Sequence, residues 1–258
     1  MLNKKIISEN FSRAAKNYHQ IAVVQKQSAE KLCHLASPFI KENFNIIDLG
    51  SGTGFIANNL AGKKNLQIFE ADLSLKMLQQ STNNLKINCD FENLPFKKNS
   101  FDILISSFSL QWLTDFNKNF AEFFLLLKPN GIFAFCLPTK ESLKELKTAN
   151  KATGCEFNFN TLPDADDLKS ALKNCGFEEK FFQQEVVKLE FTSGSEALKS
   201  IKNIGANGSN YLSKKNFVSK TQLTQFNSFC LKNFSAGNKN ISISWEISFF
   251  ILQKSFKV

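Results

Sequence analysis

The segment that most constrains the fold is a glycine-rich loop, Asp48-Leu-Gly-Ser-Gly-Thr-Gly54, which directly follows a short apolar run. Glycines at positions 50, 52 and 54 allow a tight turn and let a ligand approach the backbone closely at the start of the next helix. A dinucleotide-binding loop would place its third glycine three positions after the second, where this chain has Phe55. The loop therefore predicts a strand, turn and helix around a ligand site, and its spacing argues against a dinucleotide.

Short apolar runs alternate with helical segments from about residue 43 to residue 136, as in a parallel sheet with crossover helices. Nearer the C-terminus, apolar residues occupy every second position from Ile241 to Ile251, which predicts a half-buried strand, and Phe181–Phe191 predicts a weaker one. An antiparallel pair commonly closes such a sheet. The other predicted strands span 45–49, 66–71, 86–89, 101–105 and 131–136, and the predicted helices span 55–61, 74–83 and 117–127.

These patterns predict an α/β fold with a mostly parallel seven-stranded sheet, an antiparallel strand near the C-terminus and helices on both faces. Ser74 is the predicted N-cap of the second helix, and Lys128-Pro-Asn-Gly131 predicts a helix end followed by a turn. The 258 residues suit one domain with a full core. Within 1–258 we expect an N-terminal helical lid (1–42), a ligand-binding core (43–138) and a C-terminal half (139–258) with a helical insertion at about 192–238.

Composition excludes several classes of protein. The net charge of +9, from 32 basic and 23 acidic residues, suggests a polyanionic partner. Arg13 is the only arginine, whereas readout of guanine prefers arginine, so nucleic acid is not favoured. The longest apolar stretches stop well short of the roughly 18 to 20 residues of a membrane span, and the first thirty residues do not resemble a secretory signal. We expect a cytoplasmic protein with no membrane partner.

The cysteines and histidines do not form a pattern typical of a metal site. The chain has six cysteines without a C-x-x-C pair, and two histidines, His19 and His34. Zinc sites typically use closely spaced cysteine and histidine ligands. We therefore expect plain thiols and no metal.

Two further acidic residues extend the ligand site. Asp72 ends the second predicted strand, where a carboxylate can accept hydrogen bonds from both hydroxyls of a ribose. Asp90 ends the third strand and is followed by Phe91, which places an acceptor for an adenine amine beside an aromatic face. Together with the acid-preceded G-x-G-x-G loop, this arrangement resembles class I S-adenosylmethionine (SAM) methyltransferases, and the resemblance implies a Rossmann-like fold with SAM as cofactor. The predicted cofactor-binding residues are Asp48, Gly50, Ser51, Gly52, Gly54, Asp72, Leu73, Asp90, Phe91 and Ser106.

Other segments resemble one particular methyltransferase family over essentially the whole chain. The most specific are Phe11-Ser-Arg-Ala-Ala-Lys-Asn-Tyr18, Leu110-Gln-Trp112 and Leu198-Lys-Ser-Ile-Lys-Asn-Ile-Gly-Ala206. They resemble the malonyl-[acyl-carrier protein] O-methyltransferases of biotin synthesis. The resemblance implies methyl transfer from SAM to the free carboxylate of a malonyl thioester on an acidic acyl carrier protein, which gives a methyl ester.

Methylation of a carboxylate is compatible with a sequence that has few candidates for a general base. A malonyl carboxylate is already ionised at neutral pH, so the scarcity of histidine is no objection and no general base is expected. The site needs instead a cation or donors that hold the carboxylate. We expect Tyr18 and Trp112 to position the reactants, with Trp112 just past the end of the fourth strand. The predicted substrate-binding residues are Arg13, Gln111, Lys199 and Lys202.

Two departures from the family pattern stand in this half of the chain. Lys199 occupies a position where the family has arginine, so its carboxylate-binding role does not follow from the family pattern. The alternative for Lys199 and Lys202 is that both lie on a solvated helix face. Trp245 stands where tyrosine is expected, and we interpret it as a packing residue. The alternative to substrate binding by Arg13 is a surface ion pair. The alternative to a positioning role for Trp112 is packing in the core.

The basic excess is concentrated in one stretch. Residues 197–245 contain seven lysines and no acidic residue. This distribution favours a docking surface for an acidic carrier protein, with scattered solubilising lysines as the alternative. Other methyltransferases, acting on a quinone precursor or a free carboxylic acid, and a non-catalytic SAM-binding assembly factor also stay open, because a fold does not determine the acceptor. We expect a monomer. The seven lysines are Lys199, Lys202, Lys214, Lys215, Lys220, Lys232 and Lys239.

Overall fold

The computed structural model describes residues 3–62, 65–206, 218–237 and 239–255. One sheet runs through it, with the strand order β3-β2-β1-β4-β5-β8-β6 and a short β7 paired to β8. Strands β1 to β5 pair in parallel, whereas β8 is antiparallel to β5, β6 and β7. The predicted α/β fold is confirmed, with the three-residue β7 as an addition to the seven predicted strands.

The strands are β1 (Asn45–Leu49), β2 (Gln67–Asp72), β3 (Lys86–Asn88), β4 (Phe101–Ser107), β5 (Leu127–Pro138), β6 (Phe177–Phe191), β7 (Ser235–Gly237) and β8 (Asn240–Lys254). The α-helices are α1 (Lys4–Ala14), α2 (Tyr18–Ile21), α3 (Val23–Ala36), α4 (Phe55–Leu60), α5 (Leu75–Leu78), α6 (Phe116–Leu126), α7 (Lys144–Thr153), α8 (Ala165–Asn174), α9 (Gly194–Asn203) and α10 (Lys220–Phe234). Short 3-10 turns span Ala15–Asn17, Ser37–Phe39 and Leu110–Trp112.

Helix α5 is shorter than the predicted helix over 74–83. Ser74 caps it as predicted, because its side chain accepts a hydrogen bond from the Met77 N–H. Past Leu78 the polar side chains bond elsewhere: the Ser81 hydroxyl donates to Glu70 at 2.9 Å, and the Asn83 amide donates to the Ile68 carbonyl at 2.6 Å. These bonds turn the chain back towards β2 and end the helix, since Ser and Asn compete with helical hydrogen bonding.

The turn predicted at Lys128–Gly131 lies inside β5 rather than before it. Helix α6 ends at Leu126, as the proline-containing segment requires, but the chain enters the sheet at Leu127 and irregular pairing with β4 follows. Asn130 takes the left-handed conformation, with φ of 61°. The extended β5 therefore begins four residues earlier than its apolar run.

The core has two layers, one on each face of the sheet. On one face, α3 and α4 pack together and α3 lies against β4, β5 and β8, while on the other α6 and α8 cover β5 and β6. Four phenylalanines of the second layer, Phe120, Phe123, Phe133 and Phe135, are fully buried. No helix among the described residues is long and apolar enough to span a membrane. Neither layer covers the carboxyl ends of β1 to β5. The N-terminal helices, α7 and α9 lie at that edge of the sheet.

Candidate active site

The glycine loop between β1 and α4 is held in a conformation that only glycine adopts easily. Gly50, Gly52 and Gly54 have φ of 68°, 59° and 85°. A Cβ on Gly50 would lie 2.3 Å from the Ser109 hydroxyl, and one on Gly54 would lie 2.5 Å from that of Ser81. At Gly52, by contrast, the nearest atom is the Met77 methyl at 3.4 Å. Packing within the protein thus requires glycine at positions 50 and 54. At position 52 the positive φ favours glycine, and the space beside it is left open.

A cavity lies along this loop at the carboxyl ends of β1, β2 and β4, and we call it the cofactor cavity. Ligands bind in this position in open α/β sheets. Of the ten predicted cofactor-binding residues, eight line it: Asp48, Gly50, Ser51, Gly52, Asp72, Leu73, Asp90 and Phe91.

Two predicted residues are not brought to the cofactor cavity. Ser106 is fully buried within β4, and its hydroxyl donates to the Leu49 carbonyl at 2.8 Å, so it joins β4 to β1. Its neighbour Ser107 points to the other side of the strand and lines the cavity. Gly54 sits behind the loop, against Glu70 and Ser81.

Asp48 presents an unpartnered carboxyl oxygen to the cofactor cavity. Its side chain is 1% exposed, and its Oδ2 has no hydrogen-bond partner. Burial, and secondarily the neighbouring Glu70 and Asp72, raise the pKa of the Asp48 carboxyl well above its usual range. A buried carboxylate oxygen without a donor is costly unless a ligand supplies one. Asp48 therefore fits the ammonium group of an amino acid moiety.

Asp72 is held in place by backbone amides. Its two oxygens accept hydrogen bonds from the Gly52 N–H at 2.8 Å and the Ser74 N–H at 2.7 Å. Burial raises the pKa of Asp72 to about 6, and these two bonds limit the rise. Because each carboxylate oxygen can accept more than one hydrogen bond, the fixed carboxylate can still receive ribose hydroxyls.

Asp90 already has a cationic partner. The Lys4 ammonium donates to Asp90 at 2.6 Å and also to Glu92. The backbone N–H of Glu92 donates to the other Asp90 oxygen at 3.0 Å. Attraction to both carboxylates raises the pKa of Lys4 against the opposing effect of burial, which is the largest single cause. Asp90 thus marks the place where the N-terminal helix meets the end of β3.

The N-terminal helices line the cofactor cavity and bond to the loops that follow β1, β2 and β3. Besides the Lys4 contacts after β3, Ser8 donates to the Leu73 carbonyl at 3.2 Å and Ser12 bonds Ser74 at 2.7 Å, both after β2. His19 bonds Thr53 in the glycine loop at 2.8 Å. The sequence predicted a helical lid but none of these contacts, because a motif does not show which side chains meet across two elements.

A second cavity adjoins the first, and we call it the acceptor cavity. It is lined by residues from the N-terminal helices, from the loop after β4, and from α7, α9 and β8. It is mainly apolar, which favours a site that excludes water. The two cavities share one wall of five residues: Phe11, Tyr18, Gln25, Phe108 and Trp112.

The shared wall carries polar groups that point to a ligand. The indole N–H of Trp112, a side chain 7% exposed, has no hydrogen-bond partner. The neighbouring Gln111 donates to the Phe108 carbonyl at 2.8 Å, and its amide oxygen is unpartnered. Tyr18 is buried, and burial, followed by the charge of Asp72, raises the pKa of its phenol. Tyr18 therefore stays a neutral donor at physiological pH.

The basic residues predicted to bind substrate lie outside both cavities. Arg13 is exposed on α1 and pairs with Glu9 at 3.9 Å, because α1 turns Ile7, Asn10 and Ala14 inward. On α9, Ile201 and Ile204 line the acceptor cavity, whereas Lys199 and Lys202 are exposed. The cation that does line the acceptor cavity is Lys147 on α7, which sequence reasoning missed. Its one sequence signal is weak: it lies one helical turn after the apolar Leu143.

Trp245, interpreted from the sequence as a packing residue, has two roles in the structure. It packs against Phe108 with ring centres 6.1 Å apart and also lines the acceptor cavity. The aromatic ring thus extends the apolar wall beyond the part that the two cavities share.

Comparisons with known proteins agree with this arrangement. A family model described as a methyltransferase domain matches residues 47–135. The Bacillus subtilis protein YcgJ shares the fold, with a TM-score of 0.62 at 14% identity over 89% of this chain and 99% of that chain. So does Haemonchus contortus phosphoethanolamine N-methyltransferase 2, solved in complex with S-adenosyl-L-methionine, with a TM-score of 0.53 at 20% identity over 88% of this chain and 52% of that chain.

A curated relative is more specific. The malonyl-[acyl-carrier protein] O-methyltransferase of Geobacter sulfurreducens is 32% identical over 223 residues, which cover 80% of this chain and 82% of the relative. The match is much longer than the 47–135 segment that the methyltransferase domain covers. The chain belongs to the malonyl-[acyl-carrier protein] O-methyltransferase family.

Proposed function

We propose that the protein transfers a methyl group from SAM to the free carboxylate of the malonyl group on malonyl-[acyl-carrier protein], which yields the malonyl methyl ester used in biotin synthesis. The observation that carries the proposal is the wall of Phe11, Tyr18, Gln25, Phe108 and Trp112 that the two cavities share. A cofactor on one side of this wall and an acceptor on the other would meet at Tyr18 and Trp112. Family membership supplies the identity of the acceptor.

The cofactor cavity fits SAM group by group. The unpartnered oxygen of Asp48 suits the methionine ammonium, and Asp72, fixed by two backbone amides, suits the ribose hydroxyls. Phe91 and Asp90 suit the adenine ring and its amine. Gly52 leaves room for the methionine end of the ligand. When bound, SAM supplies a methyl group on a positively charged sulfur, which an anionic oxygen can attack.

The chain's own residues then have to align and desolvate the reactants. A carboxylate is ionised at neutral pH, so the site needs no general base. The Trp112 N–H and the Tyr18 hydroxyl are neutral donors at the shared wall, and they can orient a carboxylate oxygen without protonating it. Phe11 and Phe108 exclude water from the same wall, which strengthens the attraction between the anion and the cationic cofactor.

The carrier protein is proposed to dock on the basic C-terminal surface. Five of its seven lysines, Lys199, Lys202, Lys220, Lys232 and Lys239, are exposed. The other two, Lys214 and Lys215, lie outside the described residues. Helix α9 places Lys199 and Lys202 on the outside of the wall whose inner face, Ile201 and Ile204, lines the acceptor cavity. A positive surface here would steer an acidic carrier towards the cavity. We also propose a cytoplasmic monomer without nucleic-acid or membrane partners.

The test is direct. Purified protein is incubated with SAM and malonyl-acyl carrier protein, and mass spectrometry follows the acyl group for the mass of one added methylene unit. The expected result is that gain on the malonyl carrier. A gain on a quinone precursor or a free carboxylic acid, and none on the malonyl carrier, would replace the proposed acceptor. SAM binding without transfer to any acceptor would favour the assembly-factor alternative.

A further inference from the structure

One charged side chain lines the acceptor cavity among the described residues, and it is Lys147. It lies on α7, one turn after Leu143, which lines the same cavity. The half-buried side chain of Lys147 thus forms part of the wall of a mainly apolar space. A cation in such a place is costly to desolvate, and an anionic ligand offsets that cost.

The hydrogen bonds of Lys147 leave room for a ligand. Its ammonium donates to the Lys140 carbonyl at 2.8 Å. A lysine has three donors, so this bond leaves two of them. The nearby Glu246 accepts hydrogen bonds from the Thr139 hydroxyl at 2.7 Å and the Glu141 N–H at 3.4 Å. Glu246 and the exposed Glu141 attract Lys147 only at longer range, and burial, the larger effect, lowers the pKa of Lys147.

The other basic residues considered for substrate binding do not line the acceptor cavity. Arg13, Lys199 and Lys202 are exposed, and none of them lines either cavity. The remaining polar side chains of the acceptor cavity are amides, a phenol and indoles, all neutral. A ligand with one negative charge would therefore find a single compensating charge there.

We propose that Lys147 is a specificity-determining residue that binds the free carboxylate of the acceptor, an inference that rests on the proposed function. The shared wall holds the oxygen that attacks, and Lys147 attracts the carboxylate from the acceptor side. Methyl transfer turns this anion into a neutral ester. Lys147 then loses its ion pair, so it distinguishes substrate from product and favours release of the product.

The experiment compares the affinities of a malonyl acid and its methyl ester for the wild type and for variants in α7. Malonyl-pantetheine and its methyl ester are titrated by calorimetry into protein saturated with S-adenosylhomocysteine, so that no turnover occurs and no carrier surface is involved. In the wild type we expect the acid to bind more tightly than the ester. Lys147→Met should weaken acid binding by about tenfold or more, the usual effect of losing a hydrogen bond to a charged group, and should leave ester binding within about twofold.

Two further variants make the result decisive. Lys151→Met removes a lysine one turn farther along α7, exposed and outside the cavity, and should leave both affinities unchanged. Lys147→Arg should recover part of the acid affinity. Unchanged S-adenosylhomocysteine affinity shows that each variant is folded. Equal losses for acid and ester, or no loss for either, would overturn the assignment of Lys147, whereas failure of the wild type to methylate malonyl-acyl carrier protein would overturn the proposed function itself.

Discussion

The cofactor cavity and the acceptor cavity meet at one wall but are built in different ways. The polar atoms of the cofactor cavity come from short loops at the ends of adjacent parallel strands, and backbone amides fix several of them, as at Asp72. The acceptor cavity is assembled from the N-terminal helices, the turn after β4, α7, α9 and β8, which are far apart in the sequence. Its polar groups are few, and two of them, Gln111 and Trp112, carry unpartnered atoms.

The cofactor cavity carries chemistry that many methyltransferases share, whereas the acceptor cavity selects one acceptor. A site set by strand ends has little freedom, because the sheet register determines where each loop emerges. A site set by helix placement can change through a shift of one helix or one side chain. Perturbations of the cofactor cavity should therefore affect cofactor affinity most, and perturbations of the acceptor cavity should affect the acceptor alone.

The largest expected effect is that of Gly52→Val on SAM binding. A β-branched residue rarely takes the left-handed conformation of Gly52, and its side chain would enter the cofactor cavity. We expect SAM affinity in calorimetry to fall by about 100-fold or more, or about 3 kcal/mol. The matched control is Gly62→Val, because Gly62 also has a positive φ, of 70°, but has no atom within 4 Å of an added Cβ. Unchanged affinity in Gly52→Val, or the same loss in the control, would contradict the placement of the cofactor.

Most residues predicted from the sequence to bind the cofactor come together in the structure because they are local to strand ends. Asp48, Asp72 and Asp90 each follow an apolar run, and eight of ten predicted residues line the cavity. Ser106 was predicted to line the cavity, but its neighbour Ser107 does so, since alternate residues of a strand point to opposite faces and the register of β4 was unknown. Gly54 was also predicted to line it but does not, because its glycine requirement comes from packing against Ser81.

The acceptor cavity was less predictable because it depends on how distant helices pack. Tyr18, Gln111 and Trp112 were found through their motifs, and they line the acceptor cavity. Arg13 was expected there, but α1 buries its other face, and on α9 the isoleucines point inward in place of the lysines. Lys147 lies in no recognised motif. Lys147 lines the acceptor cavity only because α7, α9 and β8 are brought together in the fold.

The acceptor side is tested by Trp112→Phe, which removes the indole N–H and keeps an aromatic ring. If that N–H orients the carboxylate, kcat/KM for malonyl-acyl carrier protein should fall by about 10-fold to 100-fold, the range for a lost hydrogen bond to a charged group. SAM affinity should stay the same, since the ring still lines the wall. Trp245→Phe is the matched control, because Trp245 lines the acceptor cavity beyond the shared wall, and it should change kcat/KM much less. Equal losses of kcat/KM in both variants would argue against a special role for the Trp112 N–H.

The pH dependence of SAM binding should be smaller and confined to the cofactor side. Burial raises the pKa of Asp72 to about 6, and a positively charged ligand that needs the ionised carboxylate lowers it again. The bound state therefore holds fewer protons than the free state, so SAM affinity should rise with pH through about 6 and level off above it, by at most about tenfold per pH unit for one proton. Calorimetry from pH 5 to pH 8 tests this. In Asp72→Asn the part of the rise near pH 6 should disappear, and any rise that stays belongs to Asp48, whose pKa is also raised. A flat profile in the wild type would contradict the assigned role of Asp72.

The smallest effect should come from the N-terminal helices, which contribute residues to both cavities. Lys4 is about one-third exposed and bonds Asp90 and Glu92, and exposed ion pairs contribute about 0.2 to 1 kcal/mol. If these contacts hold α1 over the bound cofactor, Lys4→Met should speed SAM dissociation in stopped-flow experiments by about twofold to fivefold and leave the association rate unchanged. Lys5→Met, which alters the exposed neighbour on the same helix, should leave dissociation unchanged. Slower dissociation in Lys4→Met would mean that Lys4 competes with the adenine amine for Asp90, and the N-terminal helix would then oppose the cofactor site in place of closing it.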